Sequence, residues 1–172
     1  MAADAKPNPP PTLSRLAGDA LVETIDGPVE IVKLVGKVMP VMTRMPDGTI
    51  GFRMLREVRE VEADADLLAL RNADGQIVRV GLEQVFVGAD GREVRARELR
   101  PGDRLRTGWT YPDGYVPPDA GEYAPRLRSQ PWVGVVEISA SASAGRAPVF
   151  GFSVNQTKCC YLTFGALCRA QA

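Results

Sequence analysis

The chain has 172 residues, with 21 acidic and 21 basic side chains and no histidine. That length suits one domain with a substantial core, and the balanced charge creates no global field toward nucleic acid or an anionic membrane. Without histidine the commonest general base, the commonest zinc ligand and the near-neutral pH switch are all missing. No metal or cofactor is therefore expected, and catalysis would have to come from Cys, Ser, Asp, Glu or Lys.

Met1–Leu13 carries Pro7 and the run Pro9-Pro10-Pro11 with little to bury, so residues 1–13 read as a polyproline-like or disordered arm. That arm also lacks the apolar centre of a secretory signal. No apolar run elsewhere reaches the roughly 20 residues that span a bilayer. A cytoplasmic chain, or part of a soluble assembly, is the expectation. After Ser14–Val22, Asp26-Gly27 reads as a turn into the apolar-polar run Pro28–Val38. Lys37–Thr43 and Ile50–Leu55 flank Pro46-Asp47-Gly48, a hairpin signal. Arg56–Asp66 alternates charged residues with valine and flows into Leu67–Leu70, which predicts a long solvent-facing strand or bent ribbon. Asn72-Ala73-Asp74-Gly75 turns the chain into Gln76–Val80.

Val85-Phe86-Val87 and the turn Asp90-Gly91 continue the strand pattern. Any helical turn in Arg95–Leu99 must stop before Pro101, because the residue preceding proline is biased away from the helical region. Arg104–Thr107 is a short strand. The stretch Leu34-Val35-Gly36-Lys37-Val38 echoes Leu99-Arg100-Pro101-Gly102-Asp103-Arg104-Leu105, two weak copies of one unit. Residues 108–131 break the pattern with proline, glycine, Trp109, Tyr111, Tyr115 and Tyr123, a loop long enough to suggest a purpose. It is a packed surface loop or a contact surface, since exposed Tyr and Trp make good interface anchors. Trp132–Ser139 reads as a strand, Ser141–Pro148 as a loop of small residues, and Val149–Val154 and Tyr161–Leu167 as closing apolar segments. Cys159, Cys160 and Cys168 make no disulfide framework. Neighbouring Cys159 and Cys160 should face opposite sides of a strand, with at least one inert and buried.

The segment Ala96-Arg97-Glu98-Leu99-Arg100-Pro101-Gly102-Asp103-Arg104-Leu105, placed after an apolar strand and an Asp-Gly turn, resembles the Hint (Hedgehog/intein) family of protein-splicing and autoprocessing domains. Ser14–Val22 resembles the opening of such a domain, and Val149–Val154 and Tyr161–Leu167 its closing motifs. The resemblance implies an all-β fold with pseudo-twofold symmetry over residues 14–172, with the 108–131 loop as an insertion. It also says where chemistry should sit. The nucleophile position falls on Arg15, the Thr-x-x-His box on Gly81 and Gln84, the catalytic Asp on Gly151, and the terminal His-Asn on Arg169 and Ala170.

None of these six side chains can supply the family's nucleophile, base or cyclising amide. The resulting expectation is a Hint-like domain without catalysis. It would serve as a structural or protein-binding component, possible settings including a phage-type particle or a secretion machine, with a protein partner or a second copy bound through Trp109, Tyr111, Tyr115 and Tyr123. The alternative is a self-processing domain using Ser14, one residue out of register, or Cys168. A β-barrel nucleic-acid binder is disfavoured, because neither charge nor aromatic content supplies the footprint.

Overall fold

The computed structural model describes residues 14–48, 50–106 and 135–171. The arm 1–13, the loop 108–131 with Trp109, Tyr111, Tyr115 and Tyr123, and the expected strand start at Trp132 lie outside the described residues. Within them the structure is all-β. The strands are β1 (Leu16–Ala17), β2 (Leu21–Thr24), β3 (Gly27–Glu30), β4 (Met39–Arg44), β5 (Ile50–Asn72), β6 (Ile77–Gly81), β7 (Val85–Val87), β8 (Glu93–Arg95), β9 (Arg104–Arg106), β10 (Val135–Val154), β11 (Cys159–Tyr161) and β12 (Leu167–Arg169). Short 3-10 turns at Ile31–Leu34 and Ala96–Glu98 follow β3 and β8. One sheet runs β3-β2-β4-β5-β6-β1-β10-β9, with β5 also paired to β10, and a smaller one runs β11-β12-β7-β8.

The weak internal echo is realised as two halves with the same order of elements, β1–β5 with its 3-10 turn and β6–β10 with its own. In the first, Ile31 N–H donates to Ala20 O and Val32 N–H to Gly18 O, at 2.9 and 3.1 Å. In the second, Ala96 N–H donates to Gln84 O and Arg97 N–H to Leu82 O, at 2.8 and 3.0 Å. Each 3-10 turn buries its first apolar residue and the one three later, Ile31 with Leu34 and Ala96 with Leu99, because residues three apart eclipse in a 3-10 turn. Each is followed by a glycine in the left-handed region, Gly36 (φ 73°) and Gly102 (φ 94°), where a side chain would be strained. The bridge between Thr24 and Val41 in the first half has its counterpart between Gly88 and Leu105 in the second. β1 and β6 pair antiparallel about the local dyad, and so do the long strands β5 and β10.

The ribbon formed by β5 and β10 holds one correction. Ser141–Pro148 is strand, paired with β5 through Ser141 to Leu70, Ala142 to Ala69 and Ala147 to Ala65. Its alanines and serines lack the β-branched signal that marks strands in a sequence, but the ladder bonds are backbone bonds and need no large side chain. Gly145 (φ 79°) lies where the register shifts between Ser143 and Arg146, as a bulge requires. Arg56–Asp66 is strand as expected, largely exposed apart from Val58 and Ala65. The Met39–Leu55 hairpin also follows its turn signal, with Met39 opposite Leu55 and Arg44 opposite Ile50.

The hairpin of β11 and β12 stands astride the dyad. Leu162 bridges to Val22 in the first half, and Cys168 pairs with Phe86 in the second. The main core draws on both halves, with Leu16, Val22 and Leu55 packed in one cluster with Phe86, Leu105 and Ile138.

Candidate functional site

Ser14 enters β1 with its side chain fully buried. Its hydroxyl accepts the Phe152 N–H at 2.8 Å and donates to Phe152 O at 3.2 Å, so one side chain meets both backbone polar groups of that residue of β10. The next residue, Arg15, donates its N–H to Gln84 Oε1, and its carbonyl accepts the Gly81 N–H at 2.8 Å. Gln84 is wholly buried immediately before β7, where its Nε2 donates to Val85 O at 2.9 Å and to Arg169 O at 3.2 Å. One amide therefore joins the N-terminal segment, the second half and the C-terminal hairpin. A buried amide with its donors and acceptor occupied avoids the desolvation penalty of an unpaired one.

The glycines let this cluster close. A Cβ at Gly81 would lie 3.0 Å from Arg15 Cβ, and one at Gly151 would lie 2.8 Å from Val61 Cγ1 and 3.2 Å from Ser14 O. The room that a larger side chain would need at either position is filled by neighbours. Ala170 is buried, and its N–H donates to Lys158 O at 2.9 Å, while Gln171 N–H reaches Phe152 O at 2.8 Å. The two arginines are half-buried, with the Nε of each buried, and both are paired: Arg15 with Glu62 at 2.8 Å and Arg169 with Glu93 at 3.0 Å.

All six positions marked by the resemblance, Arg15, Gly81, Gln84, Gly151, Arg169 and Ala170, thus gather around Ser14 and Phe152. The arrangement orients the peptide between Ser14 and Arg15 through its N–H. Gln84 offers an amide, which does not exchange a proton near neutral pH, and the Ser14 hydroxyl is met by backbone groups of Phe152. Sequence reasoning missed Phe152, Val61, Glu62 and Glu93 as partners. Ser14 and Phe152 lie 138 positions apart, and Arg15 and Gln84 lie 69 apart, so no local pattern carries these pairings.

Cys168 is fully buried in the main core with its Sγ 3.7 Å from Cys160 Sγ, and so faces the core. Cys159 and Cys160 do face opposite ways, but both sides are covered. Cys160 belongs to the main core and Cys159 to a small cluster with Val87, Tyr161 and Leu167. The hydrogen bond with Cys168, reinforced by burial, pushes the Cys160 thiol well above its usual range. Burial raises the Tyr161 phenol, and a hydrogen bond with Arg44 partly offsets it. Asp19, Glu83 and Asp103 have structural partners: Arg79 for Asp19, Arg95 and Arg97 for Glu83, and the Arg100 N–H for Asp103. Among the described residues no group of three or more Cys, Asp or Glu could hold a metal ion, and no helix is long and apolar enough to cross a membrane.

No family model matches the sequence, and neither does any curated protein. Solved structures do match. An Ssp DnaB mini-intein variant superposes with a TM-score of 0.71 at 15% identity, covering 92% of this chain and 95% of that one. The DnaB intein from Synechocystis sp. PCC 6803 gives 0.67 at 14% identity, covering 92% and 99%. A bacterial intein-like domain from Clostridium thermocellum gives 0.64 at 17% identity, covering 91% and 98%. The chain has the intein-like Hint fold.

Proposed function

We propose that this chain is a Hint-fold domain that performs no self-processing and acts as a structural or protein-binding component of a larger protein assembly. One observation carries the reading: Gln84 ties Arg15, Val85 and Arg169 together where self-processing chemistry would need a nucleophile and a base. An arginine at position 15 cannot accept an acyl group as a thiol or hydroxyl does. The amide cluster binds the two ends of the described chain to the fold, a task of cohesion. Its partner is another protein or a second copy, held through the arm 1–13 and the aromatic loop with Trp109, Tyr111, Tyr115 and Tyr123. Balanced charge makes nucleic acid and anionic membrane poor partners.

Two measurements test this. Intact-mass analysis of purified protein, with and without hydroxylamine or dithiothreitol, should return one uncleaved species. Deleting residues 1–13, or changing Trp109 and Tyr115 to alanine, should leave the melting temperature nearly unchanged and weaken co-purification with the native assembly. Variants that unfold while assembly per folded molecule stays intact would remove the interaction half of the proposal.

The second reading, self-processing at Ser14, is favoured by one fact: the hydroxyl is buried within the cluster and accepts an N–H at 2.8 Å, which would stabilise charge on that oxygen. It requires cleavage before Ser14 that Ser14→Ala abolishes. Cys168 is the weaker alternative, since its thiol packs on Cys160 in the core.

A further inference from the structure

We propose that Cys160 and Cys168 form a thiol–disulfide couple, a modification site whose oxidation crosslinks the C-terminal hairpin. The two are register partners on β11 and β12, and their Sγ atoms lie 3.7 Å apart. Both thiols are free and buried. The flanking bonds from Ala170 N–H to Lys158 O and from Leu162 N–H to Ala166 O place the pair in a hydrogen-bonded register. Opposed Cα atoms in such a register lie about 5.5 Å apart. That distance falls inside the roughly 4.4–6.8 Å that a disulfide spans, so rotation of the two side chains can close the gap with the strands in place. Cys159, the third thiol, faces the other side against Thr43 Oγ1 at 3.4 Å and is excluded from the pair.

The oxidant is a small-molecule disulfide, with oxidised glutathione as the working example. The thiolate of one cysteine attacks a glutathione sulfur, the glutathione S–S bond breaks, and one glutathione leaves as a thiolate that takes a proton from solvent. The second protein thiolate attacks the protein sulfur of the mixed disulfide and expels the second glutathione. Two protein S–H groups become one S–S bond, and one glutathione disulfide becomes two thiols. Burial of both sulfurs makes the first attack wait on opening of the hairpin. Once the hairpin opens the thiolate is the attacking form, so oxidation quickens as pH rises. The crosslink fixes the hairpin whose Arg169 carbonyl Gln84 holds and whose Leu162 and Cys168 rest on separate halves of the fold.

The test uses the full chain, incubated with oxidised glutathione in mildly alkaline buffer, quenched in acid, unfolded and alkylated. The expected product has lost two hydrogens, takes one alkyl group that peptide mapping places on Cys159, and regains three alkylation sites after dithiothreitol. A parallel sample in sub-denaturing urea should reach the same product sooner. Cys160→Ser and Cys168→Ser, or the alanine variants where serine prevents folding, should never show the loss of two hydrogens. Three alkylated thiols in both wild-type samples, a bond that includes Cys159, or a lasting glutathione adduct in place of the crosslink overturns the proposal.

Discussion

The two halves of this domain share a backbone plan and differ in what they place at equivalent points. Ala20 in the first half and Gln84 in the second both accept an N–H from a 3-10 turn through their carbonyls, and both are buried. The alanine side chain stops there. The glutamine side chain crosses the dyad to Arg15 and reaches Arg169 as well. Arg15 and Arg79 are likewise equivalent, and each carries an exposed ion pair, with Glu62 and Asp19 respectively. A repeated scaffold supplies two matching sockets, and a single long side chain turns one of them into the junction of the molecule.

If the two 3-10 turns are equivalent in packing, Leu34→Ala and Leu99→Ala should each destabilise the domain by about 2–5 kcal/mol and by similar amounts, measured by urea unfolding. A large loss at one and none at the other breaks the equivalence. Gln84→Ala should cost roughly 2–3 kcal/mol, because it leaves the Arg15 N–H and the Arg169 carbonyl without that partner. Ala20→Gln should also cost about 1–3 kcal/mol, from overpacking. Matching effects from mismatched causes can be separated by amide exchange. Only Gln84→Ala should speed exchange at Arg15.

The pH dependence sharpens the contrast between the halves and the hairpin that joins them. Cys160 is raised in the folded state, so its native thiol keeps a proton that the unfolded chain releases. Its contribution to stability is complete below the unfolded thiol value, about pH 8.5, and is lost as pH rises through the folded value. Tyr161, also raised, adds a further decline above about pH 10. Thermal unfolding of the reduced protein should therefore shift downward in alkaline buffer, and Cys160→Ala should lack the first part of the shift. The smallest effects belong to the exposed ion pairs. Glu62→Ala and Asp19→Ala should each change stability by no more than about 1 kcal/mol, with salt reducing the difference further. A larger loss at Glu62 would mean that Arg15 is anchored through its guanidinium as well as its N–H.

Turns and local runs made much of the fold legible. Pro46-Asp47-Gly48 marked its hairpin, and Leu99-Arg100-Pro101-Gly102-Asp103 marked the stop of its 3-10 turn and the start of β9. The echo of that stretch at Leu34–Val38 pointed to the internal symmetry. The middle of β10 was hidden because alanine and serine carry no strand signal, although β5 supplies their backbone partners. In the candidate site the order of motifs along the chain marked positions that lie close together in the structure, but not the contacts that they make. Nothing near Gln84 in sequence announces Arg15 or Arg169, and nothing near Ser14 announces Phe152. Those pairings arise only when distant strands are brought together.

The hairpin that straddles the dyad sets a schedule for biosynthesis. Val22 waits for Leu162, Leu21 O waits for the Thr163 N–H, and Phe86 waits for Cys168. During translation the first half emerges complete in sequence and still lacks the residues that cover it, so early strands sit with open edges until the β11–β12 hairpin has been made. Contacts of such long range fold slowly, and exposed edges in the interval invite aggregation. Ribosome-bound chains truncated before Leu162 should remain open to protease, with protection arriving in a single late step as the hairpin clears the exit tunnel.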